Sequence, residues 1–183
     1  MNHRIIYADE DKESVQFLLR LRLPALLVGL VLGISTSFLT SRFEQVLAAN
    51  VKVAFFIPFV VYIADAIGTQ TESIYTRDLK SGKAKFSVYL FKESLLGLLF
   101  GLLFATASYI FILFWIGDSL LALGVSVAVL MVCTIAPLVA LFTTKLLHDL
   151  HEDPAVGSGP IATVIQDAIS ILIYGAILSI MIL

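Results

Sequence analysis

The chain has 183 residues, 59% hydrophobic and 14% charged, with a net charge of −2 at neutral pH and one cysteine, Cys133. Soluble domains run at roughly 45–50% apolar and about 25% charged, so an ordinary soluble enzyme and a disordered chain are both excluded. The acidic balance excludes a nucleic-acid partner, and the lone cysteine excludes an internal disulfide framework or a cysteine-ligated zinc site, which leaves a polytopic membrane protein.

Residues 1–22 are polar, with an acidic run at Asp9, Glu10, Asp11 and Glu13. They read as a short cytoplasmic segment forming an amphipathic helix at the membrane surface. The first apolar run starts too late, and without a small-residue cleavage site, to be a signal peptide. A bilayer crossing takes about 20 mostly apolar residues. Five stretches meet that need: Leu23–Thr40, Leu47–Ile67, Leu95–Ile116, Leu120–Leu147 and Ile161–Leu183. The predicted fold is an all-α integral membrane protein, with residues 23–183 as one five-helix transmembrane domain. The fourth stretch is long enough to tilt, to kink at Pro137 or to leave the membrane near Lys145.

Five crossings put the termini on opposite sides. Ten of the twelve basic residues fall on one side: Arg4, Lys12, Arg20 and Arg22, the loop residues Arg77, Lys80, Lys83, Lys85 and Lys92, and Lys145. Arg42 and Lys52 fall on the other. The positive-inside rule then makes the N-terminus cytoplasmic and the C-terminus external, in a multi-pass protein of the cytoplasmic membrane. Trp115 falls at the outer end of the third crossing, at the level of an aromatic belt. Gly29 and Gly33, and Gly97 and Gly101, form two GxxxG pairs, read first as packing within the subunit and second as a subunit contact.

Two acids lie well inside crossings, Asp65 in the second and Asp167 in the fifth. A charge at such depth costs a few kcal/mol, so it normally faces a cavity or a partner. Thr163, Asp167, Ser170 and Tyr174 fall within roughly 60° of one another on a helix, and Pro58, Tyr62, Asp65 and Thr69 share that spacing. Each helix is thus polar along one line, at a depth that places both acids about 6–9 Å from the cytoplasmic end. The structural alternative for Asp65 is membership of a polar turn, Gly68-Thr69-Gln70, closing the second crossing. The cluster His148, Asp149, His151, Glu152 and Asp153 reads as a solvated acidic loop.

Two membrane aspartates also suggest an intramembrane protease, but neither acid follows the Gly-x-Gly pattern such enzymes carry, and no Ser/His or Cys/His pair lies within the membrane. The chain is not read as an enzyme. Carboxylates, hydroxyls and carbonyls are hard oxygen ligands suited to Mg²⁺, Ca²⁺ or Mn²⁺. Mg²⁺ loses water reluctantly, so its path needs few direct ligands and many groups that hold hydration water.

Phe55-Phe56-Ile57-Pro58 followed by Gly68-Thr69-Gln70 resembles the second-helix signature of MgtE-type magnesium channels and transporters. Asp153-Pro154-Ala155, Ser158-Gly159-Pro160 and Thr163 to Asp167 resemble that family's fifth-helix entrance, and Arg22-Leu23-Pro24 its first-helix opening. The resemblance implies a homodimer of five-helix subunits in the lipid membrane. It implies a cation path on the two-fold axis, lined by helices two and five of both chains; Mg²⁺ is the expected cargo, with Mn²⁺, Co²⁺ or Ca²⁺ as alternatives. By this resemblance Asp167 is the pore aspartate, the Thr163 backbone carbonyl is the next ligand toward the cytoplasm, and Pro58 stands at a narrow point. Asp65 occupies a position where the family carries glycine, which would give four carboxylates per dimer, and Ala66 replaces an asparagine. About 22 residues precede the first crossing, so the family's N-terminal and CBS domains are expected to be missing or replaced by a separate cytoplasmic regulatory subunit. Two other functions are kept beside Mg²⁺ transport. One is a Na⁺- or H⁺-coupled exchanger using Asp65. The other is a non-transporting anchor for a regulatory partner, which would not need the polar lines.

Overall fold

The computed structural model describes residues 12–149 and 154–183, the first seven of the latter by backbone alone. Six helices follow in order: α1 (Val15–Ser41), α2 (Glu44–Ala49), α3 (Lys52–Lys80), α4 (Phe86–Ile116), α5 (Ser119–Asp149) and α6 (Pro154–Ile182). All but α2 are long and apolar enough to cross a membrane. The five-crossing, all-helical reading therefore holds, although α4 begins at Phe86 in place of Leu95 and α6 at Pro154 in place of Ile161; three further boundary changes each have a local cause.

The first change is at the N-terminus. The described part of the expected surface helix is continuous with the first crossing. Ser14 caps α1, its hydroxyl accepting from Phe17 N at 3.3 Å. Val15, Phe17, Leu18, Leu19 and Leu21 extend the apolar run, and the long stems of Arg20 and Arg22 allow their charges to reach toward water. The acidic residues Asp9 to Asp11, and His151 to Asp153 in the last loop, lie outside the described residues.

The second change is at Leu47, which belongs to α2 and not to the second crossing. Asn50 breaks the helix with extended φ/ψ of −144° and 97°. Its Oδ1 then accepts from Lys52 N at 3.1 Å, which starts α3. Phe43, in the turn before α2, seats its ring over α6 at Gly175; a Cβ there would meet ring atoms at 2.4 Å.

The third change is at the far end of α3, which does not stop at Ile67 but runs on to Lys80. No turn forms at Gly68-Thr69-Gln70, so the reading of Asp65 as part of that turn is corrected: Asp65 is mid-helix. Helical continuity follows from burial of one face beyond Gly68. Thr71 and Tyr75 are both buried at 2% exposure. The Thr71 hydroxyl donates to Glu93 Oε2 of α4 at 2.7 Å, and Tyr89 of α4 donates to Asp78 Oδ2 at 2.5 Å. The Tyr75 ring stands 4.9 Å from Tyr89 and 6.3 Å from Phe86. Gly82, at φ +68°, closes the turn into α4.

The bundle is organised around α5, which packs against α3, α4 and α6. Its Val125, Val129, Val132, Cys133 and Ala136 are fully buried. Residue size explains the α4–α5 approach. A Cβ on Gly97 would lie 2.8 Å from the Cys133 carbonyl, and one on Gly101 would lie 2.9 Å from the Leu130 carbonyl. The second GxxxG pair therefore serves packing within the subunit. Pro137 sits inside α5 without ending it and leaves the Cys133 carbonyl without its usual i+4 donor. That carbonyl faces Gly97, whose missing side chain lets the two backbones close around it. By contrast α1 lies along α6 with no buried residue, and nothing within 4 Å would meet a Cβ on Gly33.

Candidate functional site

Asp65 and Asp167 each stand near the middle of a 29-residue helix, α3 and α6. With the longer helices, each acid lies roughly 20 Å from the helix end that was expected to be only about 6–9 Å away. The two helices that carry them pack against each other. Both acids are half-buried, as is Thr163.

The line on α3 is open. Pro58, Tyr62 and Thr69 are exposed, Tyr62 at 68%. On the other side of the same helix, Val53, Phe56, Val60, Ala64 and Ile67 are buried in the subunit. A line that combines an acid, hydroxyls and a proline thus runs along an uncovered face.

The line on α6 divides into two halves. Thr163 and Asp167 are partly open, whereas Ser170 and Tyr174 are buried at 0% and 2% exposure. Tyr174 donates to the Val53 carbonyl of α3 at 2.7 Å, and Ser170 donates to the Gln166 carbonyl at 2.8 Å. Both hydroxyls are used inside the subunit, so in the single chain neither meets a lumen. The two helices are in contact at Tyr174 and Val53. Between them opens a small crevice lined by Asp65, Thr69, Glu72, Thr163 and Gln166, with Ala140 of α5 also in its wall. Gly68 lies there as well; a Cβ on it would sit 3.6 Å from the Ala136 carbonyl, so glycine sets how close α3 comes to α5.

Two residues of this crevice escape a search limited to polar lines within the expected spans. Glu72 lies beyond the expected end of the second crossing. Gln166 is next to Asp167 but turned by about 100°, off the polar line. Its signal is a buried amide in an apolar helix, a group that rarely goes without a role. Among the described residues, no three His, Cys, Asp or Glu side chains converge on one point. A divalent cation here would have to draw on water, neutral oxygens or a second subunit.

The MgtE family profile, described as a divalent cation transporter, matches residues 57–177. The match begins beside Pro58 and ends beyond Tyr174, taking in both polar lines. The chain belongs to the MgtE family. It is similar to proteins named magnesium transporter MgtE from three bacteria. Identity is 30% over 156 residues for Bacillus subtilis and 33% over 156 residues for Enterococcus faecalis, each across 84% of this chain. For Thermus thermophilus it is 30% over 158 residues, across 81% of this chain. The chain spans about a third of the length of these curated relatives, 34–35%. As a member of the MgtE family it is a multi-pass membrane protein of a transporter group, not an enzyme.

Proposed function

We propose that this chain carries Mg²⁺ across the cytoplasmic membrane along a path between two copies of itself. The supporting observation is the two-sided character of α3. One side is packed into the subunit, and the other presents Pro58, Tyr62 and Thr69 beside Asp65 with nothing over them. Lipid is a poor neighbour for such a face, because a charged group at mid-bilayer costs a few kcal/mol. Pairing two chains about a two-fold axis covers it, and brings four polar edges, from α3 and α6 of each copy, around one lumen.

In this arrangement Asp167 of both copies supplies the charge that concentrates the cation, and Asp65 adds to it. The Thr163 carbonyl and the Thr69 hydroxyl hold hydration water, which suits an ion that sheds water reluctantly. Pro58 and Tyr62 line the stretch toward the N-terminal end of α3. Ser170 and Tyr174 act as braces that hold α6 against α3. Mn²⁺, Co²⁺ and Ca²⁺ are further cargo on the same oxygen chemistry. The N-terminus is cytoplasmic by the distribution of basic residues.

The test is flux into proteoliposomes. Asp167→Ala is expected to bring Mg²⁺ uptake to the level of empty vesicles while the protein still elutes as a dimer. Asp167→Asn should fall between the two, since it keeps an acceptor for hydration water and loses the charge. Undiminished uptake by Asp167→Ala at matched protein density would remove Asp167 from the path.

A further inference from the structure

One group in the crevice has no partner in the subunit. Gln166 is 3% exposed, lines the crevice, and its Oε1 accepts no hydrogen bond. Ser170 fixes which way this amide points. A serine hydroxyl has one proton, and Ser170 gives it to the Gln166 backbone carbonyl at 2.8 Å. It can then only accept from the Gln166 side chain, and does so from Nε2 at 3.4 Å. Oε1 is thereby turned away from Ser170, toward Gly68, where a Cβ would stand 3.9 Å from it.

That oxygen shares the crevice with the Asp65 carboxylate, Thr69 and Thr163, and among the described residues no basic side chain lines it. A water could satisfy Oε1 but would leave the Asp65 charge uncompensated by any described residue of the crevice. A cation answers both. The enclosed part of the crevice has room for one water-sized body. Mg²⁺ gives up its waters reluctantly, so a small monovalent ion stripped of water suits that enclosed part better. We infer that each subunit binds one dehydrated monovalent cation in the α3–α6 crevice, through the Asp65 carboxylate and Gln166 Oε1, completed by oxygens of Thr69 and Thr163. The site lies within one subunit, at the edge of the proposed path, with which it shares Asp65, Thr69 and Thr163; Gln166 belongs to it alone. Ser170 is its positioning residue.

The probe is ²²Na⁺ binding to the purified full chain in nanodiscs, in Mg²⁺-free buffer. Saturable binding of one Na⁺ per subunit is expected. Gln166→Leu, close in volume but without the oxygen, should weaken it by about ten-fold or more, the usual scale for losing a polar contact to a charge. Asp65→Asn should weaken it at least as much, and Gln166→Glu should retain it. Ser170→Ala frees the amide to rotate and should weaken binding less; with Asp65→Asn it carries the test if Gln166→Leu does not fold. Asp167→Ala should keep saturable Na⁺ binding while losing Mg²⁺ uptake, so this site and the Mg²⁺ path fail separately. The inference is overturned by absence of saturable Na⁺ binding, by equal affinity in the parent, Asp65→Asn and Ser170→Ala, or by Mg²⁺ binding at the crevice in place of Na⁺.

Discussion

Tyr174 shows how much a single hydrogen bond changes the reading of a residue. By spacing it belongs to the same line as Asp167, yet its hydroxyl reaches across to the Val53 carbonyl at 2.7 Å. Helical angle alone cannot separate a group facing water from one facing a neighbouring helix. Tyr62 and Tyr174 therefore separate experimentally. In a Cys133→Ala background, Tyr62→Cys should react with a water-borne thiol reagent and Tyr174→Cys should not; equal labelling would return Tyr174 to the lumen. Tyr174→Phe should cost about 0.5–1.5 kcal/mol of stability, toward the lower end because bonds within membrane bundles average about 0.6 kcal/mol. Reversible unfolding in mixed micelles measures it. Asp65, Asp167 and Thr163 were legible because charge and hydroxyls stand out in an apolar helix. Gln166 was not, because its importance lies in an oxygen whose direction is set by Ser170.

At the level of elements, the five long helices were legible in hydropathy alone, and their ends were not. Both ends of α3 moved because polar groups found partners that a one-dimensional pattern does not contain. Thr71 pairs with Glu93, Tyr89 with Asp78, and Asn50 caps its own chain at Lys52. The two GxxxG pairs, alike in sequence, have different surroundings. Gly97 faces a backbone carbonyl, and Gly33 faces open space. Gly97→Val should thus destabilise the bundle by about 1–3 kcal/mol, the usual cost of overpacking. Gly33→Val should leave the subunit's thermal stability unchanged; an equal loss in both would mean that α1 packs more closely than its open face indicates. Gly175→Ala should loosen the turn at Phe43, seen as faster proteolysis between α1 and α3, because the ring must leave its seat.

At the scale of the whole molecule, one subunit leaves one of its faces uncovered. Its core around α5 is complete, but α3 keeps a polar face that lipid does not suit at mid-bilayer. The orientation, the dimer and the cation path all turn on what covers that face. Tyr62 is exposed at 68% and lies one helical turn from Asp65. The most direct measurement is oxidative cross-linking of Tyr62→Cys in a Cys133→Ala background, read together with Mg²⁺ uptake by the same proteoliposomes. The account predicts a covalent dimer joined through equivalent residues and uptake blocked while the bond is closed, with both reversed by a reducing agent. A chain that transports Mg²⁺ fully while remaining monomeric, or a cross-linked dimer whose uptake is unchanged, would contradict it.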